Sequence, residues 1–146
     1  SPECGQQDEF LLDQASSMAR NFGFIYEEKQ PALCRYVCEG DIISFGDSQL
    51  KAYHVPGHSP GSVVYYCEAA SCVFTGDVLF YGSIGRTDLP GGDYSWIMCS
   101  ILDDIVPLGD DVTIYPGHGD ESTIGHESMY NPFVVEVLNQ EVNYKN

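Results

Sequence analysis

Three short apolar runs in this sequence each end in a side chain of a type that binds metal ions. Pro-Gly-His turns follow two of the runs and place His58 and His118 just beyond them, while a Thr-Gly-Asp segment places Asp77 at the end of the third. Two imidazoles and a carboxylate are ligands that zinc and similar borderline ions accept. The sequence therefore predicts part of a metal site, built at the ends of three strands.

Length and charge limit the kinds of protein this chain can be. A chain of 146 residues is long enough for one domain with a sizeable core and too short for two. Six Lys and Arg residues against 22 Asp and Glu residues give a formal net charge of -16. Because such a surface repels phosphate backbones and anionic lipids, nucleic acids and membrane surfaces are not expected as partners. The sequence has no apolar run near the roughly 18–20 residues that a membrane span needs.

The six cysteines allow two interpretations. None are spaced as CxxC, but Cys34 and Cys38 lie four residues apart, and we expect Cys67 and Cys72 to face each other across a hairpin. These four thiols could form a second zinc site. Scattered reduced thiols in a cytosolic protein are the favoured interpretation, because no strong metal spacing is present. We therefore predict a cytoplasmic location.

The periodicity of apolar residues predicts an α+β domain with helices covering a sheet. Asp93 is the expected N-cap of one helix, with Pro107 beyond its end. The segment 26–33 is predicted as a loop. Helices are predicted at 9–22, 93–106 and 132–138, and strands at 42–45, 50–55, 62–67, 71–75 and 112–115.

Longer motifs surround the three candidate ligands. They are PGHSPGS, TGDVLFYGSIGRTDLPGGD and YPGHG, followed by STIG-x-E and then NPF. From about Gly40 to Phe133 the chain resembles the metallo-β-lactamase superfamily and, within it, the glyoxalase II-like hydrolases. That resemblance implies an αββα-type layered sandwich. The family's His-x-His-x-Asp-His motif is absent, so residues 1–146 are expected to be a partial domain, the second half only, lacking the N-terminal strands and the first metal-binding motif.

The resemblance also implies a role for each candidate residue. His58 matches the ligand of the first metal and His118 the ligand of the second. Asp77 matches the bridging ligand and is the residue on which catalysis is expected to depend. Arg86 and Asp88 are expected to brace the loop that follows. Two divalent metal ions are implied, with zinc expected and iron or manganese as alternatives.

The function implied by the resemblance is metal-dependent hydrolysis of a small-molecule hydroxyacyl thioester, in which a metal-bridging hydroxide attacks the carbonyl. This chain alone is expected to be inactive. A first alternative is a non-catalytic fragment or module of the fold that self-associates as a homo-oligomer through an exposed sheet face. A second is an oxidoreductase or another hydrolase of the same superfamily.

Four other features have simpler interpretations. His54 is predicted to be a strand-face residue and His126 a solvated residue, neither being a metal ligand. Tyr81 can line a pocket, although strand aromatics more often serve packing. The pair Asp103–Asp104 is predicted to lie on a solvated helix surface rather than to act as paired acids.

Overall fold

A computed structural model describes residues 2–25 and 32–144 of the chain. Short strands and helices alternate along it. The strands are β1 (Glu3–Gly5), β2 (Arg35–Val37), β3 (Ile42–Phe45), β4 (Ser48–His54), β5 (Val63–Cys67), β6 (Cys72–Gly76), β7 (Leu79–Phe80), β8 (Ser83–Ile84), β9 (Thr113–Pro116) and β10 (Ser122–Thr123). The α-helices are α1 (Glu9–Asn21), α2 (Tyr94–Ser100), α3 (Ile124–Tyr130) and α4 (Pro132–Tyr144).

A six-stranded sheet organises the fold, in the order β10-β9-β6-β5-β4-β3. Strands β6 and β9 pair in parallel, and the other neighbours in this sheet are antiparallel. It follows that β4, β6 and β9 run in the same direction. Their carboxyl ends, and the turns that follow them, therefore lie at one edge of the sheet.

The main core lies between one face of this sheet and the helices after β8. Val73 pairs with Ile114 across β6 and β9, so both side chains point to the same face. Both are fully buried in one cluster with Ile97, Ile101 and Ile105. Burying an aliphatic side chain of this size stabilises a fold by roughly 1.5–3 kcal/mol, so this cluster supplies much of the driving force.

The predicted helix from residue 93 to 106 is present but changes its winding. Asp93 is the N-cap, as predicted, and its Oδ1 accepts the backbone N–H of Trp96 at 2.9 Å. After α2 the chain continues as a π turn over Ile101–Ile105 and a 3₁₀ turn over Val106–Leu108. Pro107 therefore lies inside the last turn rather than beyond the helix, which corrects the prediction. A tighter final turn can accommodate a residue without an N–H.

The opposite face of the sheet is partly open. Tyr65, Phe74 and Tyr115 form a row across β5, β6 and β9 on this face. The rings of Phe74 and Tyr115 stack with centroids 5.6 Å apart, and the two residues are 43% and 40% exposed. Within the residues that the structure describes, no element covers this pair fully.

The predicted α+β class is confirmed, and most predicted elements occur within two residues of their expected bounds. The last helix is longer than predicted and reaches Tyr144. Helix α3 and the short strands β1, β2, β7, β8 and β10 were not predicted. Residues 26–31 of the predicted loop lie outside the described part of the chain. None of the described helices is both long enough and apolar enough to cross a membrane.

Candidate metal centre

The three predicted ligands lie together at the edge of the sheet where β4, β6 and β9 end. His58 is in the turn that follows β4, Asp77 comes directly after β6, and His118 lies two residues after β9. Because the three strands run in the same direction, the three turns are neighbours in space although 60 residues of sequence separate the first from the last.

The carboxylate of Asp77 lies between the two imidazoles. Its Oδ2 is 3.9 Å from Nε2 of His58, and its Oδ1 is 3.8 Å from Nε2 of His118. These gaps are wider than a hydrogen bond. Zinc ligates imidazole nitrogen and carboxylate oxygen at about 2.0–2.2 Å each, so each gap has room for one ion.

A backbone carbonyl orients the ring of His58. Its Nδ1 lies 2.9 Å from the carbonyl oxygen of Arg86, and donation of the Nδ1 proton to that oxygen leaves a lone pair on Nε2, on the side of Asp77. Metal-binding histidines in proteins are commonly held in this way. The loop that supplies the carbonyl is braced by Arg86, whose guanidinium donates to both oxygens of Asp88 at 2.7 and 2.8 Å.

That contact also changes the acidity of Asp88. The hydrogen bond from Arg86 is the main cause that lowers the pKa of the Asp88 carboxyl from 3.8 to about 2. The same partnership raises the pKa of the Arg86 guanidinium. Both groups are therefore charged at neutral pH, and the guanidinium is bound by the carboxylate of Asp88 in the same loop.

A cavity of about 490 Å³ opens beside the three residues. Phe80, Tyr81 and Ile84 give it a largely apolar wall, and the ring of Phe80 lies 4.5 Å from that of His118 between centroids. Tyr81 therefore lines the pocket, which the packing interpretation did not favour. A concave apolar site with a few polar groups at one end is the usual form of a small-molecule site.

Asp8 anchors the turn that carries His58. Its Oδ1 accepts the N–H of Gly61 and its Oδ2 accepts the hydroxyl of Ser59, both at 2.6 Å. The sequence analysis missed this residue. Nothing around Asp8 signals the contact, because its partners are more than 50 residues further along the chain.

A buried glutamate anchors the hairpin that forms the pocket wall. Glu127 is only 1% exposed and accepts the hydroxyl of Ser122 at 2.5 Å, the N–H of Gly82 at 2.8 Å and the side-chain amide of Asn131 at 2.8 Å. Asn131 also donates to the carbonyl of Ser83 at 3.0 Å. Glu127 and Asn131 belong to the motifs that the sequence analysis quoted, but no role was predicted for either.

Close approach of the backbone explains two glycines in the Pro-Gly-His turns. Gly57 has a φ of +137°, and a Cβ there would collide with the backbone of Ile97 in α2. At Gly117 a Cβ would lie 2.5 Å from Oδ1 of Asp77, and the Gly117 N–H donates to the carbonyl of Gly76 at 2.8 Å. Neither turn could carry a side chain at its glycine without moving its neighbour.

The other two histidines lie outside the cluster. Nε2 of His54 donates to the carbonyl of Pro60 at 2.8 Å when that nitrogen carries the proton. His126 is less solvated than predicted, because its ring stacks on that of Tyr81 and also contacts the tilted ring of Tyr130, each with centroids 5.0 Å away. The contacts given for both imidazoles are with residues other than Asp77.

The described residues do not form a complete metal site. Over 2–25 and 32–144, no group of three or more His, Cys, Asp or Glu side chains converges on one point that could hold an ion. His58 and His118 approach opposite oxygens of Asp77. For a centre of two ions, each histidine would supply one terminal ligand and Asp77 would supply a bridging ligand. The donors fit part of such a centre. Cys67 and Cys72 pair across the hairpin as predicted, but the second zinc site is not present among these residues.

Comparison with known proteins places the chain and its fold in one family. A family model described as the metallo-beta-lactamase superfamily matches residues 20–118. The hydroxyacylglutathione hydrolase GloC of Haemophilus influenzae is 38% identical over 129 residues, which cover 88% of this chain and 61% of that protein.

Two solved structures agree with this result. The crystal structure of TTHA1623 in a di-iron-bound form superposes with a TM-score of 0.81 at 38% identity, covering 90% of this chain and 63% of that one. The BLEG-1 B3 metallo-beta-lactamase gives a TM-score of 0.81 at 37% identity, covering 90% and 64%. This chain spans less than two thirds of the length of each of the three proteins. The family match over residues 20–118 includes the three turns that carry His58, Asp77 and His118, and the chain belongs to the metallo-β-lactamase superfamily.

Proposed function

We propose that this chain carries part of the metal centre of a metal-dependent hydrolase of the glyoxalase II type, which cleaves a hydroxyacyl thioester. The observation that carries the proposal is the position of Asp77, whose two oxygens face His58 and His118 at the end of an apolar cavity. Similarity to GloC, named as a hydroxyacylglutathione hydrolase, supports the thioester as substrate.

His58 and Asp77 are proposed to hold one divalent ion, and Asp77 and His118 a second. Such ions lower the pKa of bound water and polarise a carbonyl oxygen. Zinc suits the imidazole and carboxylate donors, and iron is the main alternative, since a similar structure is a di-iron-bound form. Further ligands are needed, because zinc usually takes about four. We propose that they belong to an N-terminal part of the domain outside this sequence.

The protein residues have distinct tasks in this proposal. The carbonyl of Arg86 holds the ring of His58 so that Nε2 faces Asp77. Phe80 and Ile84 exclude water from one side of the reacting carbonyl and pack against the acyl group. Removal of water strengthens electrostatic interactions with the charge that develops on the carbonyl oxygen in the transition state.

The test measures thiol release from a hydroxyacylglutathione, together with metal content. We expect hydrolysis by the longer protein that contains this sequence, and none by the 146-residue chain alone. In the longer protein, Asp77→Ala should abolish hydrolysis and lower metal content, because both candidate ions lose their shared ligand. Asp111→Asn, an exposed loop substitution, is the matched control and should change neither. Retention of activity and metal by Asp77→Ala would exclude the mechanism, and hydrolysis of a β-lactam instead of the thioester would favour another hydrolase of the superfamily.

A second candidate function is that of a self-associating module, and the open sheet face supports it. Phe74 and Tyr115 stack on each other and are each about two-fifths exposed. Two copies that paired through this face would bury both rings. Sedimentation velocity tests this candidate: dimers are expected for the chain as given and monomers for Phe74→Ser. Monomers at high concentration in the unsubstituted chain would exclude it.

A cytoplasmic location also stays a proposal, supported by the six free thiols.

A further inference from the structure

A second cavity lies beside the turn that carries His58, and it shares no lining residue with the cavity at the candidate metal centre. Its volume is about 440 Å³, close to that of the first. Pro56 and Pro60 of the turn form part of one wall, and residues of α2 and of the π turn that follows it form another. The proposed hydrolysis uses none of these residues, so the cavity needs a separate explanation.

The walls of this second cavity favour an apolar body. Trp96 is the only tryptophan of the chain. It is 54% exposed, whereas its neighbour Ile97 is fully buried. Its indole and the two proline rings of the turn line the same space. An indole face left open to a cavity attracts cations as well as apolar groups, and tryptophan is the best of the aromatic side chains in this respect.

Unpaired negative charge lines the same cavity. Asp103 and Asp104 are both at its edge, and in the described part of the chain neither has a hydrogen bond or an ion pair with a cationic side chain. None of the described lining residues is Lys or Arg. The pKa of the Asp104 carboxyl is raised, first by burial and then by the negative charges of Glu39 and Asp103, while the neighbouring His54 partly opposes this shift. Asp103 is exposed, as predicted for a solvated surface, and Asp104 is half-buried.

His54 is the basic residue among those that line the cavity, and its electrostatic effect, which lowers the pKa of the Asp104 carboxyl, is smaller than the effects of burial, Glu39 and Asp103 that raise it. Its Nε2 faces the carbonyl of Pro60, and its backbone N–H donates to Glu39 at 2.6 Å. The cavity thus combines an open indole face, two proline rings and at least two carboxylates with no permanent positive charge. A hydrated inorganic cation would satisfy the carboxylates but would leave the apolar walls without a partner.

We propose that this cavity is a binding site for a small organic cation, a quaternary or alkyl ammonium compound with an apolar body. The cationic head lies over the ring of Trp96 and near the carboxylates of Asp103 and Asp104, and its alkyl groups contact Pro56 and Pro60. Cation–π attraction and charge pairing add to the burial of the alkyl groups in this arrangement.

The test uses the fluorescence of Trp96, which reports on the cavity without a label. The chain is titrated with choline and, separately, with 3,3-dimethyl-1-butanol, a neutral molecule of nearly the same shape in which carbon replaces the charged nitrogen. Sodium chloride at equal ionic strength is the third titrant. We expect a saturable change with choline, binding at least about tenfold weaker for the neutral analogue, and no saturable change with sodium.

Two substitutions locate the site. Asp104→Asn removes one carboxylate with little change of shape and should weaken choline binding by about tenfold. Asp47→Asn, in the exposed turn between β3 and β4, removes one negative charge in the same way and should leave binding unchanged. Thermal unfolding of both variants checks that each is folded. Equal binding of choline and its neutral analogue, equal weakening by both substitutions, or no saturable response to choline would each overturn the proposal.

Discussion

At the scale of single residues, the candidate centre depends on a loop that is stabilised by a contact between two of its own side chains. The ring of His58 is oriented by the carbonyl of Arg86, and the side chain of Arg86 is bound by Asp88 two residues later. The bidentate contact fixes both ends of the short segment that supplies the carbonyl. The Arg86–Asp88 pair therefore influences the metal site through geometry, although neither side chain approaches Asp77 as a ligand.

The pKa of Asp88 provides a direct measurement of this contact. We expect the carboxyl to titrate at about 2 in the folded chain, against 3.8 for an unperturbed aspartate, because the charged form is bound by Arg86. Since the folded pKa lies below the unfolded value, the pair's contribution to stability is complete above about pH 4 and is lost as the pH falls through about 2. Carbon-13 NMR of the carboxyl group measures this titration.

The matched variant is Arg86→Gln, in which the pKa of Asp88 should return to about 3.8 because the main cause of its lowering is removed. A pKa near 4 for Asp88 in the unsubstituted chain would show that the bidentate contact does not persist in solution.

At the scale of elements, α3 and the β7–β8 hairpin depend on each other through Glu127. The carboxylate of this residue accepts hydrogen bonds from Gly82 in the hairpin turn and from Ser122 in β10, and Asn131 ties the same carboxylate to Ser83. Two-residue strands such as β7 and β8 cannot be stable alone. Their position at the pocket wall is set by these hydrogen bonds.

Glu127→Ala should lower the free energy of unfolding by about 3 kcal/mol, because three buried donors lose their acceptor. Glu127→Gln should cost about half as much, since one amide oxygen remains and the hydroxyl of Ser122 can accept instead of donate. Urea denaturation of the 146-residue chain measures both, and amide hydrogen exchange at Gly82 should accelerate in each. Glu121→Ala, at an exposed position, is the control and should stay within about 0.5 kcal/mol. An Ala variant as stable as the unsubstituted chain would show that Glu127 does not anchor the hairpin.

The packing of the first Pro-Gly-His turn on α2 gives a second prediction at this scale. Gly57→Ala should destabilise the chain by about 4 kcal/mol, because the new methyl group meets the backbone of Ile97 and φ is +137°. Gly46→Ala is a matched control, with a φ of +55° and open space around it, and should cost only about 1–2 kcal/mol. Equal costs for the two variants, measured by thermal unfolding, would show that the turn is not in contact with α2.

At the scale of the whole molecule, features that are marked by neighbouring residues in the sequence could be predicted, and contacts between residues far apart in the sequence could not. The meeting of His58, Asp77 and His118 was predictable because each follows an apolar run, and three strands of one direction bring their ends to one edge. The role of Asp8 was not predictable, since its partners lie 51 and 53 residues away, and neither was the contact of Glu127 with the hairpin, since Gly82 lies 45 residues away. Helix α3 was not predicted because Gly125 and the polar residues around it interrupt the helical pattern of apolar residues. Its buried residues are Ile124 and Glu127, and their contacts stabilise it. The partial nature of the domain stays a prediction.

Metal content of the 146-residue chain, purified without chelator, follows from the donor count. We expect well below two ions per chain, because His58, Asp77 and His118 give each ion one imidazole and a share of one carboxylate, and zinc usually has about four ligands. Added zinc should bind weakly, and His118→Ala should reduce that binding further. His126→Ala, which removes an imidazole outside the cluster, should leave it unchanged. Two tightly bound ions in the isolated chain would contradict this expectation. The remaining ligands would then have to come from outside the described residues, from a second copy of the chain, or from side chains that move on binding.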